Sequence, residues 1–476
     1  MRQSLLLLAS GFLCLTALSD ATAQTVRVDL GVVGPGRVRV GIRLPIEAKE
    51  VSFRNTYGGV LGLGERIERL QATSGHNPIQ VKKLAAGEYQ AESGFDELGY
   101  EVNLSHPVQP AQMSHVSWLT GNHGLLMMSD LLPRQALTRD GVVSISVEVP
   151  SHHDVTSNVS GGKGTYLTTD PDKAVFMVGP TVRQTTRRVG ATNLSLVTSV
   201  KWPFSESDAL KISEKLIQEY SKVTGYALKS DAVIFLLPFP GEAGPERWTA
   251  ETRGNAVVLL LGQKAERKRV LAKLGIVLSH ELFHLWVPNA LGMKGDYDWF
   301  FEGFTLYQAL RTDLKLGLIS FDAYLQTLAR VYDSYLRSPD RDRLSLIEAS
   351  ERRWTTSSAL VYDKGMLAAF IYDLMLKNSG NCQMSLDDVY RQLFQRRGAG
   401  HEGANETIIR ILAELGRTEA FGKEYIEGRG PIDLTSILAP YGILAFPSET
   451  KGTNLRIADN LTKTQRNTLR CIGHRR

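Results

Sequence analysis

Residues 274–306 read LGIVLSHELFHLWVPNALGMKGDYDWFFEGFTL, and the spacing of a few side chains in that stretch decides how the rest is read. His280 and His284 stand four apart. Their flanks (Leu271, Leu274, Ile276, Val277, Leu278, Leu285, Trp286 and Val287) predict a mostly buried helix ending before Pro288. Residues i and i+4 share one helix face, so both imidazoles converge on one point with Glu281 beside them. Neutral imidazole nitrogen binds zinc readily, and a catalytic zinc keeps one position open for water. Glu302 follows His284 by 18 positions, inside Trp299-Phe300-Phe301-Glu302-Gly303-Phe304-Thr305, where a second helix is expected to begin. An unpaired carboxylate in so apolar a run is costly, so Glu302 needs a partner. As third ligand it completes a set of two histidines and one glutamate.

The surrounding chain has 476 residues, 43% hydrophobic and 22% charged, with a formal net charge of +5. This is ordinary globular composition without low-complexity bias. So slight a basic excess, with no long block of like charges, speaks against a nucleic-acid partner. Arg2, the apolar run Leu5 to Leu18 and Ala21-Thr22-Ala23 read as a cleaved signal peptide over residues 1–23. No later stretch is expected to span a membrane once the signal is removed, and the expected location is periplasmic or secreted. Cys382 and Cys471 then remain, either as a disulfide or as two free thiols.

Outward from the motif, two patterns divide the chain. Val26 to Leu30, Val38 to Ile42 and Val143 to Val149 alternate with period two, punctuated by glycine and proline. Residues 24–201 are therefore expected to form an N-terminal antiparallel β domain. From Trp202 the period changes. Ser205 and Asp208 resemble a capping box, and Leu210, Ile212, Leu216, Ile217, Tyr220 and Val223 follow a helical rhythm. Strand candidates at Ala232 to Leu237 and Ala256 to Leu261 precede a mainly helical run over the rest of 202–445. Residues 446–476 read as a polar tail of weak periodicity. The expected class is multidomain α+β.

The stretch H-E-x-x-H followed by W-F-x-E-G-F-T resembles the gluzincin zinc peptidases, nearest the glycyl aminopeptidase family and more distantly aminopeptidase N. Glu302-Gly303-Phe304-Thr305-Leu306-Tyr307, Ala349-Ser350 with Trp354, and Tyr362-Asp363-Lys364-Gly365 extend the likeness in order, over roughly residues 205–445. The resemblance implies a thermolysin-like, mainly helical catalytic domain acting on a peptide or protein substrate. It implies Zn2+ held by His280, His284 and Glu302, with Glu281 as general base and Tyr362 supporting the oxyanion. Placing Asn255 to Val258 on the family's glycine-rich strand puts Glu251 where that family has a glutamate for the substrate's free amine. Here Thr249-Ala250-Glu251-Thr252 replaces the glycines and histidine, so Glu251 reads either as the amine holder or as an exposed glutamate. The interval from His284 to Glu302 is short for the glycyl aminopeptidase family. The chain ends at Arg476, soon after Gly442, so the family's C-terminal PDZ module is not expected. The expected activity is an aminopeptidase, with a zinc endopeptidase or a non-catalytic binding protein on the same scaffold as alternatives.

Overall fold

The computed structural model describes residues 26–475 apart from 35, 122, 138–140, 264–265, 398–402 and 448–451. Residues 1–23, read from the sequence as a signal peptide, lie outside the described residues. The N-terminal part is built of β sheets and the C-terminal part is largely helical.

The period-two runs build the first layer. Val26–Gly34, Arg37–Ser52 and Glu88–Asn103 lie antiparallel in a nine-stranded sheet, with Val28, Leu30, Val38, Val40 and Ile42 buried on one face. The expectation of a wholly antiparallel domain needs one correction, because Val26–Gly34 pairs parallel with Val143–Glu148. Alternation reports which face a side chain takes; it does not report the direction of the neighbouring strand.

A four-stranded sheet (Trp118–Leu119, Gly124–Met127, Asp154–Ser157 and Val175–Gly179) forms the second layer. Leu126, Phe176 and Val178 pack with the nine-stranded sheet. Leu125, Met127, Val175 and Met177 face the other way, onto a third sheet.

That third sheet contains β1 (Arg183–Val189), β2 (Thr192–Thr198), β3 (Ala232–Pro238), β4 (Trp248–Arg253) and β5 (Ala256–Leu261), in the order β1-β2-β3-β5-β4. β2, β3 and β5 are parallel, and β4 closes one edge antiparallel. Their near-continuous apolar runs suit a sheet covered on both faces. Val233, Phe235, Leu237, Val258 and Leu260 face the four-stranded sheet, while Ile234, Leu236, Val257 and Leu259 face the helices. β1 and β2 precede the change of period at Trp202, yet they pair into this sheet. A strand pattern identifies a strand without saying which sheet it will join.

On the helical face lie α1 (Glu206–Thr224), α2 (Arg267–Phe283), α3 (Thr305–Lys315) and α4 (Ser358–Ser379). Ser205 and Asp208 cap α1 reciprocally, as their spacing predicts. The segment Arg267–Ala290 is long and apolar enough to cross a membrane, but most of its most apolar stretch is buried inside the fold, as in a core helix. The tail is more ordered than its composition suggests. Thr453–Ile457 pairs with Ile443–Pro447, and Lys463–Cys471 is a helix with a Thr462/Gln465 capping box. A disulfide joins Cys382 to Cys471.

Candidate active site

Helical geometry brings His280 and His284 together at the end of α2. Their Nε2 atoms are 3.1 Å apart, and Glu302 Oε2 lies 3.5 Å from each. Among the described residues these three form the one group of histidine, cysteine and carboxylate ligands whose donor atoms lie within 4.8 Å of one another. Tetrahedral zinc with bonds of about 2.0–2.1 Å separates its ligand atoms by roughly 3.3 Å, so the spacing and the donor chemistry both fit this ion.

The α-helical winding ends at Phe283, earlier than the proline alone predicts. A wider π-type turn follows over Leu285–Ala290, and within it Val287 is extended (φ −125°, ψ 108°). The residue before a proline is pushed out of helical conformation. Here that turns the Val287 carbonyl back to accept from His284 Nδ1 at 2.9 Å, which leaves Nε2 its lone pair. His280 Nδ1 has no hydrogen-bond partner among the described residues.

Glu302 sits on a second π-type turn, Trp299–Phe304, a winding often found at functional sites. Two glycines set its position. A Cβ on Gly303 would lie 2.5 Å from Gly365 Cα, and one on Gly365 would lie 2.7 Å from the Trp299 carbonyl oxygen. The turn and α4 therefore cross backbone against backbone, which places Glu302 beside Tyr362. Burial alone would raise the Glu302 carboxyl, but His284, His280 and Arg353 outweigh it and hold the group well below the usual carboxylate range. Burial, then the charges of Glu302 and Glu281, push the Tyr362 phenol well above its ordinary value, so it keeps its proton.

Two further residues complete the surroundings and are not reached by the motif spacing. Thr252 on β4 hydrogen-bonds Glu281 Oε2 at 2.7 Å and the Glu281 carbonyl oxygen at 2.8 Å. Arg353, on a π-type turn over Arg353–Ser357, donates to Asp298 Oδ1 at 2.6 Å, Glu302 Oε1 at 2.7 Å and the Tyr362 hydroxyl at 2.6 Å. Both join segments far apart in the chain, and no spacing rule reaches that far. The one hint for Arg353 was its place next to Trp354.

Glu251 lies one residue from Thr252, and strand alternation turns it to the opposite face of β4. Its carboxylate meets His115 Nδ1, the Tyr57 hydroxyl at 2.6 Å and Arg253 Nε at 3.0 Å. Burial would raise its pKa; Arg253, His115 and Tyr57 outweigh that and lower it. Tyr57 comes from the short hairpin Thr56–Leu61 of the N-terminal part and also packs against Trp354, with ring centroids 5.8 Å apart. Of the two readings of Glu251, amine holder or exposed glutamate, its burial sets aside the exposed one.

With the geometry in place, the comparisons with known proteins become specific. Residues 273–368 match the model of the M61 glycyl aminopeptidase family. The likeness of this chain is to those peptidases. The matched segment contains His280, Glu281, His284, Glu302, Arg353 and Tyr362. No curated protein matches the sequence. An aminopeptidase N family protein from Idiomarina loihiensis superposes with a TM-score of 0.73 at 17% identity, over 90% of this chain and 81% of its own. An M1 zinc metallopeptidase from Deinococcus radiodurans gives 0.53 at 14% identity, over 87% and 95%. A mutant of that enzyme bound to a Tyr-Ser-Ala substrate gives 0.54 at 14% identity, with the same coverage. At these identities the likeness is one of fold.

Proposed function

We propose that the chain is an exported zinc-dependent peptidase of the gluzincin, thermolysin-like type, acting as an aminopeptidase on peptide substrates. One observation carries this reading: His280, His284 and Glu302 converge at zinc-ligand spacing, with Glu281 and Tyr362 around them. The glycyl aminopeptidase match over the same segment and the metallopeptidase neighbours support it.

His280 Nε2, His284 Nε2 and Glu302 Oε2 would hold the zinc. Bound there, zinc supplies Lewis acidity, making water a better nucleophile and polarising the scissile carbonyl. Glu281 takes a proton from the attacking water and passes it to the leaving amine. Thr252 fixes Glu281 Oε2, which restricts the carboxylate to one orientation. Tyr362 keeps its phenolic proton and donates a hydrogen bond to the oxygen on which negative charge develops. The leader read at residues 1–23 and the Cys382–Cys471 disulfide support a periplasmic or secreted location.

A second reading, a zinc endopeptidase, is favoured by one specific observation. The Glu251 carboxylate is already met by Arg253, His115 and Tyr57, which leaves it poorly disposed toward a substrate amine. Cleavage of matched free and N-blocked peptides, before and after chelation, tests both. Chelator-sensitive cleavage restricted to free peptides supports the aminopeptidase, and equal cleavage of blocked peptides assigns an endopeptidase. Cleavage that survives complete metal removal would contradict both readings.

A further inference from the structure

Arg353 is the residue on which the two halves of the site meet. It sits on the turn between the short helix Leu346–Glu351 and α4, nine positions before Tyr362 and 51 after Glu302. Its side chain is only 10% exposed. Nη1 is taken by Asp298, while Nη2 donates to both Glu302 Oε1 and the Tyr362 hydroxyl. The guanidinium also lies over the rings of Phe301, Trp354 and Tyr362, at 5.6, 4.5 and 5.3 Å from their centroids. A planar fork gripped on its edge by two acids and a phenol, and on its faces by aromatic rings, has little freedom.

Each contact has a directional consequence. Glu302 Oε1 is occupied by Arg353, so Oε2 is the oxygen presented to the two histidines, as the 3.5 Å distances show. The Tyr362 oxygen accepts from Arg353, which leaves the phenolic hydrogen to point away from the guanidinium. Asp298 holds the other arm of the fork through Nη1.

We propose that Arg353 is the positioning residue that locks Glu302 and Tyr362 into one geometry, aiming Glu302 Oε2 at the metal and the Tyr362 hydroxyl at the reacting carbonyl. The inference rests on the zinc-peptidase reading. It adds that metal affinity and oxyanion support are coupled through one side chain.

Lysine at this position keeps the charge but cannot reach all three oxygens as a fork does. Arg353→Lys should weaken zinc retention against a competing chelator by about tenfold to a hundredfold, as losses of a ligand's supporting hydrogen bonds do. At saturating zinc it should lower kcat by about a hundredfold with KM little changed. Tyr362→Phe should cost about a hundredfold in the native background, but about threefold or less in the Arg353→Lys background. If Arg353→Lys does not fold, the same cycle is run on Arg353→Gln with Asp298→Asn, which leaves no acid at 298 without its partner. A full Tyr362→Phe loss in both backgrounds would overturn the proposal. So would native zinc retention and native kcat in the Arg353 variant. The wild-type chain, measured alongside, separates the two failures: no zinc and no cleavage there would sink the peptidase reading itself.

Discussion

Glu281 and its neighbours show how much one residue's surroundings decide. The carboxylate is buried, and Thr252 donates to one of its oxygens. Glu281→Gln keeps the shape and removes the proposed base. It should retain zinc while kcat falls by about 10²- to 10⁴-fold, and turnover near the wild-type level would remove Glu281 from the proton-transfer role. Thr252→Val keeps the shape and deletes the hydroxyl that bonds the Glu281 carboxylate and carbonyl. A bond to a charged group contributes about 1.5 kcal/mol, so kcat should drop by about tenfold with zinc unchanged. The spacing of His280, Glu281 and His284 could be read from the sequence because a helix converts it directly into proximity. Thr252 and Arg353 could not, since they reach the site from segments that no local period connects. Glu251 shows what a family pattern leaves out. Its place in that pattern suggests a substrate contact; the structure adds that its carboxylate meets His115, Tyr57 and Arg253, partners that no local spacing connects to it.

At the scale of elements, α3 packs beside α2, which carries His280, and bears a buried acid. Asp313 is 2% exposed, and its Oδ1 has no hydrogen-bond partner among the described residues. Burial pushes its carboxyl up to about 8, only partly opposed by Ser279 at the end of α2. The folded pKa is raised above the ordinary 3.8. The stability this group contributes is therefore fully present below that value, and is lost as pH rises toward about 8. Asp313→Asn should leave Tm near the wild-type value around pH 4 and raise it relative to wild type at pH 8. A difference in Tm that is the same at both pH values would show that Asp313 does not titrate across this range. Helices and strands with strong periods were legible: α1 with its cap, β3 and β5 with their apolar runs. The C-terminal helix was not, because its mean hydropathy is low. Its capping residues, Thr462 and Gln465, were the available signal.

The whole molecule is a stack of three sheets with helices on the outer face of the last. Two of its apolar cores lie between sheets and the largest gathers the helices. The N-terminal part does more than cover a surface, because its hairpin sends Tyr57 to Glu251 of β4 and to Trp354, the neighbour of Arg353. The Cys382–Cys471 disulfide closes a separation of 89 residues and ties the last helix to the end of α4. Sheet membership could not be read from alternation, since β1 and β2 look like the strands before them and join the sheet after them. The arrangement as a whole presents His280, His284 and Glu302 to one point on a rigid frame. The measurement that tests this most directly is the metal content of the purified chain, beside His284→Ala and Glu302→Ala variants. The account predicts about one zinc per wild-type chain and a large loss in both variants, as expected when a ligand is removed from a three-residue site. A wild-type chain without zinc, or variants that hold as much as the wild type, would contradict it.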